Sequence, residues 1–139
     1  MKSFLKPVSV FFVVAILFSS CNNYGDKVSK GHIEVYYKEG ISKEIAQRTA
    51  DLLYETDIAA KNNTKEIKSM QLLKKADTVF FRMVINQQRA AALDDEVFYT
   101  LANYLSDSLY NHSPVNVDLT DDKFKTIRIL HYKKMNLGE

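Results

Sequence analysis

The groups in this chain that could do chemistry are few. They are one thiol, Cys21, three histidines, His32, His112 and His131, and two carboxylate runs, Asp94-Asp95-Glu96 and Asp121-Asp122. No two of the histidines stand at metal-ligand spacing within one element, so a metal site would have to draw carboxylates from distant parts of the chain. All three are expected at partly exposed positions in loops or at strand ends. Asp94-Asp95-Glu96 reads as the acidic start of a helix, where the positive end of the dipole favours it. Asp121-Asp122 reads as a turn with too few oxygens for calcium. The sequence contains neither a phosphate-cradling glycine loop nor a strand-to-helix nucleophile turn. The expectation is no catalytic residue, no metal and no cofactor.

Cys21 is placed more tellingly than any other residue. Lys2 and Lys6 precede the apolar run from Val8 to Phe18, and the small residues Ser19 and Ser20 stand directly before the thiol. A positive start, an apolar middle and small residues at the end are the three parts of a secretory signal. Even counted back to Phe4, the run is shorter than the roughly 20 apolar residues a membrane span requires. Leu17-Phe18-Ser19-Ser20-Cys21 resembles the processing site of bacterial lipoproteins, with Phe18 where that family favours an aliphatic residue. The resemblance covers the first 21 residues. It implies that residues 1–20 are removed as a signal peptide and that Cys21 is lipidated, which anchors the protein to a membrane of the cell envelope, facing the periplasm. Cys21 is then an attachment point, and two or three acyl chains hold it essentially permanently.

Charge and composition narrow the partners. The whole chain has 19 basic and 17 acidic residues; loss of Lys2 and Lys6 with the signal leaves 17 against 17. A neutral mature protein is a poor nucleic-acid binder, and none is expected as a partner. With the one cysteine committed to lipid, packing alone must hold the fold. The remaining 119 residues suffice for one core. Residues 21–31 are polar, hold Gly25 and Gly31, and read as a flexible tether.

From residue 32 onward the periodicities alternate. His32 to Tyr37 alternates as a strand, and Ser42 can cap a helix carrying Ile45, Thr49, Leu52, Leu53 and Thr56 at helical spacing. Residues 66–73 and 78–86 read as a hairpin, with Val79 to Ile85 apolar enough for a central strand covered on both faces or with one face put to use. A second helix follows Asp94 with Val97, Phe98, Leu101, Ala102, Leu105 and Leu109 on one stripe. Pro114 ends it and opens a strand to Leu119, and residues 124–130 add one more. The expected architecture is α+β: a two-layer sandwich with the ferredoxin-like order βαββαβ and an additional C-terminal strand. The domain is placed at 32–132, with 133–139 a frayed tail. Residues 66–73 would form a sheet edge, where Lys65, Lys68, Lys74 and Lys75 discourage further pairing.

In that arrangement Ile33, Val35, Tyr37, Val79, Phe81, Met83, Ile85, Val115, Val117 and Leu119 face the helices. The opposite parity points Tyr36, Phe80, Arg82 and Val84 outward, with Gln71 and Leu73 beside them. An aromatic and aliphatic patch around an arginine exceeds what a solvated face needs, so these four are the binding-surface candidates. The expected role is that of a membrane-anchored binding or interaction module, with service as an accessory subunit of an envelope assembly as one form of it. Its partners would be the membrane, through the lipid, and a protein or small molecule on the open sheet face. A small extracytoplasmic enzyme, or a purely structural envelope protein, is the alternative.

Overall fold

The computed structural model describes residues 23–136, so the signal segment 1–20 and Cys21 lie outside the described residues. Six strands form one sheet: β1 (Asp26–Lys30), β2 (Ile33–Tyr37), β3 (Lys68–Lys75), β4 (Thr78–Val84), β5 (Val115–Thr120) and β6 (Thr126–Leu130). Among the described residues three helices complete the α+β fold: α1 (Lys43–Ala59) between β2 and β3, then α2 (Gln87–Ala92) and α3 (Asp95–Leu109) between β4 and β5. Ser42 caps α1, its Oγ accepting from the Ile45 N–H at 3.2 Å. Asp94 caps α3, accepting from the Glu96 N–H.

The strands lie in the sheet in chain order, β1-β2-β3-β4-β5-β6, with β2 parallel to β3, β4 parallel to β5, and the other pairs antiparallel. This is not the expected ferredoxin-like order, in which a third strand separates the two strands of each βαβ unit. Here each helical connection returns the chain to the neighbouring position. Strand-helix-strand-strand-helix-strand periodicity is common to both orders, so it does not distinguish them. β3 is consequently central, and the edges are β1 and β6. Lys68 and Lys74 therefore do not guard an edge; on β1, the exposed Lys27 and Lys30 occupy that position.

Residues 26–30 are a strand and not a tether. Their register brings Val28, 6 % exposed, opposite Val35, in line with Met70, Met83 and Leu119 across the sheet. The only apolar side chain in this stretch is Val28, so alternation had too few points to announce a strand. Gly31, at φ 56°, makes the turn into β2, and a Cβ there would meet the Tyr54 ring at 2.4 Å. α2 was likewise unannounced; its signal is Asn86, whose side chain caps it by accepting from the Arg89 N–H at 2.9 Å.

α1 packs on β1 and β2, α3 on β5 and β6, and the two helices touch each other. The core between layers holds Ile33, Val35, Leu72, Val79, Phe81, Val115, Val117 and Leu119 from the sheet and Ala46, Ala50, Phe98, Ala102 and Leu105 from the helices. Tyr110, just after α3, is buried with its hydroxyl 3.0 Å from Thr49 Oγ1 of α1, and burial pushes its phenol pKa up. The C-terminal segment is docked and not frayed as far as Met135. Asn103 on α3 donates to the Lys133 carbonyl at 2.8 Å and accepts from the Met135 N–H at 2.9 Å.

His32 is buried, contrary to the expectation for an exposed strand end. Its Nε2 lies 2.7 Å from Asp57 Oδ2 at the end of α1, and Lys68 at the start of β3 donates to the same oxygen at 2.6 Å. Asn62 donates to Oδ1 at 2.9 Å. This clasp closes the β2-α1-β3 unit at one end. Burial raises the Asp57 pKa, but the bonds from His32, Lys68 and Asn62 outweigh it and bring the value from 3.8 down to about 2. A carboxylate more acidic folded than unfolded stabilises the fold above its unfolded pKa and loses that contribution as pH falls through the folded one. For a side chain 13 % exposed, the contribution is about 2 kcal/mol. Unfolding titrations of the wild type should show that loss between about pH 5 and pH 2, and Asp57→Asn should lack it; equal acid sensitivity in the two would contradict the clasp.

Candidate functional site

The sheet face turned away from the helices collects the side chains of opposite parity. One row crosses it from edge to edge: Lys27, Tyr36, Gln71, Arg82, Asp118 and Ile129. Successive residues of a strand point to opposite sides, so the same parity that buries Val35 and Phe81 under the helices sends Tyr36 and Arg82 here. All four candidates share this face, yet they do not form one open patch.

Arg82 is the reason. Its Nε donates to Asp118 Oδ2 at 2.8 Å, Nη1 to Gln71 Oε1, and Nη2 to the backbone carbonyl of Phe124. Thr126 donates to the same Asp118 oxygen at 2.9 Å. Gln71 in turn donates to the Tyr24 carbonyl at 2.9 Å. The Arg82 side chain is 18 % exposed and that of Asp118 6 %. Such a pair forfeits most of its hydration, and it is tolerable because the remaining guanidinium protons also find acceptors. Asp118 Oδ1 has no partner among the described residues.

Two short segments cover this network. Tyr24, ahead of β1, and Phe124, in the β5–β6 loop, lie across it with Tyr36 between them. The three rings meet edge to face at centroid separations of 5.2 to 5.8 Å. Phe124 is 6 % exposed and has a φ of 57°. A bulky residue in the left-handed region costs about 1 to 2 kcal/mol, which here is offset by what its two ends do. The carbonyl receives Arg82, and its N–H donates to the Asp121 carbonyl at 3.1 Å. Asp121, its pKa lowered chiefly by the Lys125 and Lys123 backbone N–H groups at 2.9 Å each, holds the loop in shape.

β5 is therefore the strand covered on both sides, all six of its residues being buried. Of the two expectations for β4, coverage on both faces does not hold, since Phe80, Arg82 and Val84 are only half-buried. Asn116, Asp118 and Thr120 make β5 alternate like a half-solvated strand, and each is buried through hydrogen bonds that composition does not display. Tyr24 and Phe124, which complete the site, gave no signal beyond being aromatic residues in polar stretches.

What remains open lies on either side of the Arg82 network. Phe80 stands opposite Leu73 of β3, with Lys75 Nζ 5.8 Å from its ring centre. Val84, about 13 Å away along β4, borders an open depression of about 480 Å³ that it shares with Ile85, Asn86, Gln87, Asp121, Asp122 and Ile127. His112 and His131 are exposed, and His112 pairs with Asp107 at 2.8 Å. Among the described residues no cluster of three His, Cys, Asp or Glu could hold a metal ion, and no helix is long and apolar enough to cross a membrane.

If Arg82 serves the fold and Phe80 does not, their substitutions should separate. Arg82→Met strands the Asp118 carboxylate and should cost roughly 3 to 5 kcal/mol of unfolding free energy. Phe80→Ser should cost well under the ~3 to 5 kcal/mol of a buried phenylalanine. Denaturant melts giving the reverse order would reassign Phe80 to the core.

Residues 27–131 match the model of the AF_1994_N family, described as the family N-terminal domain, and the chain belongs to that family. No curated protein and no solved structure matches the chain.

Proposed function

We propose that this protein is a membrane-anchored envelope lipoprotein whose domain acts as a small interaction module through the open sheet face. The observation that carries this reading is Ser19-Ser20-Cys21 at the end of a charged and then apolar leader, in a chain with no other thiol. Among the described residues the first packed one, Tyr24, stands three positions after Cys21. Support for a contact face comes from the half-exposed Phe80 and Leu73, apolar side chains that neither the helices nor the Tyr24 and Phe124 cover buries completely. Such a module requires no nucleophile, base pair or metal. The anchor supplies residence at the membrane, and the domain supplies a shaped and partly apolar surface there. Cys21→Ser should abolish incorporation of a fatty-acid probe and leave the leader uncleaved by the lipoprotein peptidase. Labelling of the variant equal to that of the wild type would refute the anchor.

A further inference from the structure

We infer that the surface contacted by the open sheet face is the phospholipid bilayer itself, with the helices turned away from it. The inference rests on the lipid-anchor reading and adds an orientation to it. The decisive fact is where the chain leaves the domain. Gly25 has a φ of 94°, and a Cβ at this position would stand 2.2 Å from the Tyr37 carbonyl oxygen. The backbone is thus pressed against the end of β2 and turned onto the open face in a conformation suited to glycine. Tyr24 is then held there by Gln71 and by the rings of Tyr36 and Phe124. Of the stretch that reads as a ten-residue tether, the part from Tyr24 onward belongs to the domain.

Three Cα steps separate Cys21 from Tyr24, a reach of at most about 11 Å. A lipidated Cys21 would therefore hold the open face within about 11 Å of the headgroups. The outward sides of α1 and α3 stand farther off by at least the diameter of a helix, about 10 Å. So short a link also gives the face a high effective concentration at the membrane, so weak contacts suffice to keep it seated. The chemistry of that face suits the interface. Phe80 with Lys75 beside it combines an aromatic body with a flexible cation that can reach phosphate, and Tyr36 has Lys27, which also pairs with Glu34 at 3.5 Å, 5.9 Å from its ring centre.

The test uses the full chain, processed in cells and purified with its lipid. Single cysteines are introduced at Lys27 or Lys75 on the open face and at Glu55 or Thr100 on the outward sides of the helices, each carrying a fluorophore. After reconstitution into phosphatidylethanolamine–phosphatidylglycerol vesicles, quenching by headgroup-attached nitroxide lipid is measured. Mass spectrometry of the N-terminal peptide reads lipidation in the same samples. The expected result is lipidated Cys21 with the Lys27→Cys and Lys75→Cys probes quenched several-fold more strongly than the Glu55→Cys and Thr100→Cys probes. Lipidated protein with equal quenching, or with stronger quenching on the helices, would overturn the orientation and leave the anchor standing. An unlipidated Cys21 would overturn both.

Discussion

A guanidinium taken out of water must be given acceptors on every side, and Arg82 obtains them from three separate parts of the chain. Asp118 comes from β5, Gln71 from β3, and the Phe124 carbonyl from the β5–β6 loop; through Gln71 the requirement extends to the Tyr24 carbonyl ahead of β1. None of these partners could be moved without leaving a buried polar group unsatisfied, which is more costly than the bond itself is stabilising. The left-handed Phe124, the buried polar side of β5 and the course of the N-terminal segment all follow from that one demand. The helix side of the sheet is mainly apolar packing, with the Thr49–Tyr110 bond and Asn103 as buried polar links, and its apolar positions tolerate volume-conserving exchange. The specificity of this domain resides on the other side.

The elements that stand on strong alternation were legible: β2, β4 and β5, the cap at Ser42, the acidic opening of α3, and the inward set from Ile33 to Leu119 on facing strands. The parity that sends Tyr36, Phe80, Arg82 and Val84 to one face was legible too, because a strand admits two sides only. Strand order was not. It depends on whether each helix returns its chain to the adjacent strand or past it, a choice made by packing between α1 and α3 and between helices and sheet rather than by local pattern. β1 has one apolar residue and could not announce itself. The pairing of Arg82 with Asp118, 36 residues away, has no counterpart in local spacing, and reading Arg82 as an exposed binding group missed that its partners arrive from elsewhere.

The two sides of the sheet thus divide the work. Membership in the AF_1994_N family places the matched domain at residues 27–131, and Tyr24, ahead of it, ties the segment before β1 to the Arg82 network through Gln71. Stability at the opposite end of the β2-α1-β3 unit is handled separately by the Asp57 clasp with His32 and Lys68. Change at one end need not disturb the other.

The most direct measurement of the central claim is a set of nuclear Overhauser contacts among the rings of Tyr24, Tyr36 and Phe124 in the detergent-solubilised protein. The Arg82 network requires strong Tyr24–Phe124 and Tyr36–Phe124 cross-peaks that disappear in Arg82→Met while those of the helix-side core persist. Random-coil shifts for Tyr24 and no contacts to Phe124 in the wild type would contradict the account.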